Sequence, residues 1–340
     1  MTALLLDGAR VSYGHAEILA GIDLSAEPGE VVALLGPSGS GKTTLLFAVA
    51  GFVPLSTGRI AVAGRDVSGP GVHEPPERRD VAFVFQSYAL WPHLDALETV
   101  AFPLRAAGRD PDAAREEAGR LLRAVGMAGL EGRRPAEMSG GQQQRVGLAR
   151  ALARHAAVYL FDEPTAHLDA ATRRAVQAEV AARRADTGAA AVYATHDADE
   201  ALAVAGRVAL IRDGRLVQVG SPAEAYEQPV DRWAAELTGP VSVLEIEVRG
   251  GIAVVGSEPS TLAEPFPDDG HHVVAVRPDW AHLGGPLTAV AVESWFRGPH
   301  TDVRLDTPGG AIVVRSPGRV MLRPGERVNW TLRRVWPLEA

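Results

Sequence analysis

Gly36-Pro37-Ser38-Gly39-Ser40-Gly41-Lys42-Thr43 fits the phosphate-loop pattern Gly-x-x-x-x-Gly-Lys-Ser/Thr in full, with Thr44 following, and Lys42 is the only lysine of the chain. With this content of Gly, Ser and Thr, a lysine placed at random would meet those neighbours with odds on the order of one in a thousand. A guanidinium suits planar pairing on a surface. A phosphate cradle instead needs a compact ammonium on a flexible stem that reaches the β- and γ-phosphates. Backbone amides of Gly39 to Thr43, at the start of a helix, would cradle the β-phosphate. These residues predict nucleotide binding.

Such a loop must sit between a buried strand and a helix. Val31 to Leu35 is an apolar run of strand length after the turn Glu27-Pro28-Gly29-Glu30, and Thr43 to Ala50 has helical composition and ends at Gly51. Ala3 to Leu6 and Ile18 to Leu24 read as short strands; Val81 to Phe85, Ala157 to Phe161 and Ala189 to Ala194 read as buried parallel strands. Pro111 to Val125 has helical spacing and belongs to a helical insertion. Past about residue 240 short β-type runs separated by Gly and Pro take over: Val241 to Val255, Val273 to Val276, Leu287 to Trp295, Asp302 to Leu305, Ala311 to Arg315 and Arg327 to Leu332. They predict a small barrel or sandwich.

Kinases, GTPases and many ATPases share a phosphate loop, so its company decides. Met138-Ser139-Gly140-Gly141-Gln142-Gln143-Gln144-Arg145 is followed by Val158-Tyr159-Leu160-Phe161-Asp162-Glu163-Pro164-Thr165, by Ala166-His167-Leu168-Asp169 and by Thr195-His196-Asp197. This series resembles the ATP-binding cassette (ABC) ATPases, with Met138 where the signature usually has Leu and Ala166 where the D loop more often has Ser. The resemblance implies an α/β P-loop NTPase fold with a helical insertion, and it assigns roles. Tyr13 would stack on adenine. Thr43, Asp162 and the Gln86 amide would hold Mg²⁺, a hard ion that prefers oxygen ligands. Glu163 would act as general base or position the attacking water, and His196 would orient that water and bond the γ-phosphate. Ser139, Gly140, Gly141 and Gln142 would close the ATP site of a second copy packed head to tail, with Asp169 at the interface.

A length of 340 residues suggests two domains, here expected as a nucleotide-binding domain over 1–236, its helical subdomain at about 87–155, and a β-rich domain over 237–340. The chain has no Cys, which excludes disulfides and thiol catalysis, and no apolar tract long enough to span a bilayer. With no leader visible, a cytoplasmic location is expected. A net charge of −8 argues against nonspecific nucleic-acid binding. His271-His272, near Asp268 and Asp269, read as surface loop and not as a metal site, since on a strand adjacent side chains face opposite sides and could not both reach one ion. Trp280, Trp295, Trp330 and Trp336 read as core anchors of the β domain.

Two classes fit such an ATPase: the energy-coupling subunit of a transporter, or a soluble ATPase of DNA repair or translation. One cassette and no heptads favour the first. Ser87-Tyr88-Ala89-Leu90-Trp91-Pro92-His93-Leu94 resembles the importer ATPases of the maltose, spermidine/putrescine, sulfate and ferric-iron group, in which this segment helps form the groove for a permease helix. Val276-Arg277-Pro278-Asp279 and Trp295-Phe296-Arg297-Gly298 resemble landmarks of their oligonucleotide-binding-like tail domain, called TOBE. The resemblance implies a cytoplasmic Mg-ATPase peripheral on the membrane, working with a permease and an extracytoplasmic solute-binding protein. Tyr226-Glu227-Gln228-Pro229 and the compact tail lean the solute toward ferric iron or a polyamine.

Overall fold

The computed structural model describes residues 2–86, 89–164, 188–250, 252–262, 266 and 269–338. The chain divides into two compact units, Met1–Pro222 and Ala223–Ala340.

The first unit opens with β1 (Leu4–Tyr13) and β2 (Ala16–Ala26), then β3 (Val31–Leu35), α1 (Lys42–Ala50), β4 (Thr57–Val62), β5 (Arg65–Gly69), β6 (Val72–His73) and β7 (Val81–Val84). Three helices follow, α2 (Ala96–Ala106), α3 (Pro111–Ala124) and α4 (Gly140–Ala153). The unit closes with β8 (Val158–Asp162), β9 (Ala190–Thr195), α5 (Ala198–Val204), β10 (Arg207–Arg212) and β11 (Arg215–Gly220). An antiparallel sheet runs β2-β1-β4-β5-β6, and a second sheet runs β11-β10-β3-β9-β8-β7.

In the second sheet β10, β3, β9, β8 and β7 are mutually parallel. Every residue of β3, β8 and β9 is buried, which is what their continuous apolar sequences require of strands covered on both faces. Each Leu or Val so buried stabilises the fold by about 1.5–3 kcal/mol. Register pairs Leu35 with Thr195 and Asp162 with Ala194, so the carboxyl ends of the central strands lie level. Ligands of open parallel sheets bind at that edge. The helices share a core with the parallel sheet, with Val100, Leu104, Leu121, Leu122, Val146 and Leu148 buried together with Val84, Phe161 and Tyr193. Met138 joins it at 8% exposure, an unbranched side chain filling a leucine-sized place.

The second unit begins with α6 (Pro222–Glu227) and α7 (Arg232–Thr238), followed by β12 (Ser242–Arg249), β13 (Ile252–Val255), β14 (Glu258–Ser260), β15 (Gly270–Val276), β16 (Ala281–Phe296), β17 (His300–Thr307), β18 (Gly310–Pro317), β19 (Arg327–Leu332) and β20 (Trp336–Pro337). Sheets ordered β14-β13-β12-β15-β20 and β18-β17-β16-β19 enclose one core around Trp330, Leu244, Val274 and Ile312. Trp330 and Trp280 are buried and Trp336 packs at the core's rim, whereas Trp295 is half-exposed and is no core anchor. His271 and His272 are consecutive on β15, with the His272 ring against Phe266; Asp268 lies outside the described residues.

Residues 223–236, read from the sequence as the end of the first domain, belong to the second unit. The reason is Arg277. Fully buried, it donates to the carbonyls of Tyr226, Ala235, Gly239 and Pro240 and to the Thr238 hydroxyl, with its guanidinium over the Tyr226 ring. A buried cation needs such acceptors, and they lie on and after the two helices.

Candidate functional site

The phosphate loop leaves β3 at Leu35 and enters α1 at Lys42. Two glycines shape it. A Cβ on Gly36 would stand 2.4 Å from the Ile211 carbonyl oxygen and 2.8 Å from Ser40 Oγ. Gly41, the residue capping α1, has φ 105° and lies against Ile18 and Leu19 of β2, so the hairpin that carries Tyr13 at its turn also packs on the loop. Gly41 offers no side-chain oxygen to cap the helix. The first amides of α1 are thereby left to an anion.

Lys42 is 6% exposed, and its Nζ donates to the carbonyls of Gly36 at 2.7 Å and Pro37 at 2.9 Å. Burial pushes its pKa down, and the charges of Glu163 and Asp162 oppose that. Ser40 Oγ is buried without a partner among the described residues. Pro37, Ser38 and Gly39 are exposed, and nothing stands within 4 Å of a Cβ placed on Gly39. An inward ammonium, an unsatisfied hydroxyl and an open glycine rim fit a polyanionic phosphate chain.

Thr43 Oγ1 donates to Asp162 Oδ1 at 3.1 Å, joining the helix after β3 to the end of β8. Asp162 is 3% exposed. Burial raises its pKa, the Thr43 hydrogen bond and Lys42 lower it, and Glu163 raises it. A hydroxyl and a carboxylate in contact are hard oxygen donors of the kind Mg²⁺ takes.

Glu163 bends out of β8 with φ 49°. For a residue with a side chain this left-handed conformation costs about 1–2 kcal/mol. Its amide donates to the Ala194 carbonyl on β9, and its carboxylate accepts from His196 Nδ1 at 3.0 Å and from Gln86 Nε2 at 3.4 Å. Residues from the ends of three strands thus meet at one carboxylate. Glu200, which the sequence reading did not single out, lies beneath them. At 6% exposure, its carboxylate accepts from the Tyr193 and Thr195 hydroxyls, while Thr195 Oγ1 also accepts from the Asp197 amide. This buried network fixes the turn that carries His196. Only the spacing of an acid four residues beyond His196, facing back along α5, could have marked it.

The other expected residues stand apart from that cluster. Tyr13 ends β1 and is 54% exposed. Thr44 lies in the first turn of α1. Ser139 caps α4 in a capping box, its hydroxyl accepting from the Gln142 amide at 3.3 Å while Gln142 Oε1 accepts from the Ser139 amide at 2.9 Å. Gly140 and Gly141 form the first turn of that helix. Asp169 and Ala166 lie outside the described residues, as do Ser87 and Tyr88. Phe47, Phe52, Phe83 and Phe85 pack edge-on or tilted against one another, and a cavity of about 1210 Å³ extends from Phe52 and Phe85 to Trp91, Phe102 and Arg150. Trp91 and Phe102 are in contact at 4.9 Å, with the Arg150 guanidinium over the Trp91 ring.

Comparison with known proteins agrees with this geometry. Residues 19–166 match the profile of the family described as "ABC transporter". The Fe(3+) ions import ATP-binding protein FbpC of Brucella abortus is 40% identical over 318 residues, covering 90% of this chain and 88% of the relative. The spermidine/putrescine import ATP-binding protein PotA of Rubrobacter xylanophilus is 38% identical, covering 97% and 92%. Among solved structures, a dimeric post-hydrolysis state of the ATP-binding cassette MJ0796 bound to ADP and Pi matches with a TM-score of 0.60 and 28% identity, covering 64% of this chain and 98% of that one. A phosphate loop, paired acids and a signature helix in this topology, with such similarity along almost the whole chain, mean that this protein belongs to the ABC transporter family, among its import ATP-binding proteins.

Proposed function

We propose that the chain hydrolyses ATP to ADP and phosphate as the energy-coupling subunit of an import system. One observation carries this reading: the Glu163 carboxylate is held by His196 and Gln86 immediately beyond Asp162, which bonds Thr43 of the phosphate loop. This supports Glu163 as a proton acceptor, next in sequence to the carboxylate that bonds the phosphate loop. Tyr13 stacks on adenine. The amides at the start of α1 and the Lys42 ammonium hold the β- and γ-phosphates, the ammonium leaving the Gly36 and Pro37 carbonyls to do so. Thr43, Asp162 and Gln86 are the residues that would hold Mg²⁺, which when bound neutralises charge on the phosphate oxygens. Glu163 takes the proton of the attacking water, and His196 keeps that carboxylate and the water in line.

At the first turn of α4 the Ser139 and Gln142 amides are used in the capping box, which leaves those of Gly140 and Gly141 to offer a phosphate. We assign this turn, with Asp169, to the nucleotide of a second copy in a head-to-tail dimer. The aromatic cavity from Phe52 to Trp91 would take a helix of a membrane permease, fed by an extracytoplasmic solute-binding protein. Among the described residues no helix is long and apolar enough to cross a membrane. In the proposed import system the subunit would act from the cytoplasmic face through that permease. The names of the relatives favour import of ferric iron or a polyamine over a soluble role in DNA repair or translation, and no nucleic acid is assigned as a partner.

Glu163→Gln tests the reading. It should retain ATP binding and lose turnover by roughly a thousandfold, as removal of a base does. Undiminished hydrolysis by this variant would sink the assignment.

A further inference from the structure

We propose that Gln144, on the second turn of α4, is a positioning residue for Glu163; the inference rests on Glu163 being the base. Gln144 is 3% exposed, and its Nε2 donates to the Pro164 carbonyl at 2.7 Å and to the Glu163 carbonyl at 3.3 Å. Its own Oε1 is buried without a partner among the described residues. Packing alone does not call for this residue. An apolar side chain of similar size would fill this buried place without stranding an oxygen, so the two donated hydrogen bonds are what the amide supplies.

Those bonds fall on the two carbonyls that follow a left-handed φ of 49°. A residue with a side chain keeps that conformation only when its surroundings impose it. Two tethers do so here: β9 through the Glu163 amide on Ala194, and α4 through Gln144 on the carbonyl side. Together they aim the carboxylate at His196 and Gln86. The helix that supplies Gln144 begins at Ser139, so within one chain a single rigid element joins the base of its own site to the signature it offers to the other copy. Movement of α4 as the signature engages a nucleotide shifts the peptide that orients the base. Gln144 thereby couples the two ATP sites of the dimer.

The test uses the full chain with Gln144→Met, which keeps length and bulk but donates nothing. Its kcat should fall roughly 10- to 100-fold, the effect of misplacing a reacting group by about 1 Å, while affinity for a fluorescent ATP analogue stays within about twofold of wild type. A kcat within about twofold of wild type would overturn the proposal, and so would parallel losses of kcat and affinity, which mark general damage to the helix. Should the Met variant not fold, Gln144→Glu, read by the same two measurements, decides in the same way. Glu163→Gln run alongside separates the two claims: if it keeps turnover the base assignment fails, whereas if it is inactive and Gln144→Met is not, only the positioning role fails.

Discussion

Asp162 shows the electrostatic cost of burying a carboxylate in the site. Burial holds its pKa above the ordinary value of 3.8, so folding makes this carboxyl bind its proton more tightly. Its contribution to stability is therefore full below 3.8 and lost as pH climbs through the raised value. Asp162→Asn, without nucleotide or Mg²⁺, should melt above wild type at neutral pH. That gap should close as pH falls toward 3.8, and thermal melts across the range would show it. A gap that ignores pH would trace the gain to packing instead. That cost fits the proposed Mg²⁺ role, since an ionised, desolvated carboxylate would bind a cation strongly.

At the scale of elements, the two ends of α1 are treated differently. Its amino end is left open for phosphate, while its carboxyl end is closed by Arg79. That guanidinium, 1% exposed, donates to the carbonyls of Ala48, Val49, Val67 and Glu74 and to the Ser68 hydroxyl. A cation at the negative end of a helix also opposes its dipole. Gly51 makes room, since a Cβ there would stand 2.5 Å from Arg79 Nε. Burial lowers the Arg79 pKa to about 10, so it stays charged at neutral pH. Arg79→Ala should lower the unfolding free energy by roughly 3 kcal/mol, because several buried carbonyls lose a charged donor. Arg79→Lys should recover little of it, since an ammonium cannot reproduce the fork. Denaturant unfolding of both variants measures this; a Lys variant as stable as wild type would refute the account.

Across the whole molecule the two units keep separate cores, and the second owns its two leading helices through Arg277. A fragment spanning 223–340 should therefore be more stable than one spanning 237–340, which strips away the Tyr226 and Ala235 carbonyls. Breaking a buried charge network by removing partners costs about 3–5 kcal/mol. Comparing the thermal melts of the two fragments tests it, and equal midpoints would return the boundary to 236/237.

The sequence alone determined the elements that carry nucleotide chemistry. The run Val31 to Leu35, the loop to Thr43 and the helix ending at Gly51 appear as β3, the phosphate loop and α1, because a continuous apolar strand, glycines and a capped helix are local decisions. Of the four later parallel strands, β7, β8 and β9 were legible for the same reason, whereas β10 went unread. The sequence also named Asp162, Glu163 and His196, whose meeting depends on strand ends brought level by register. Tertiary structure alone decided the rest. Glu200, Gln144, Arg79 and Arg277 act on backbone carbonyls or on hydroxyls made close by the fold, and a carbonyl leaves no mark in sequence. The domain boundary followed the same logic: composition changes near residue 240, but a buried guanidinium reaches back across the change and takes two helices with it.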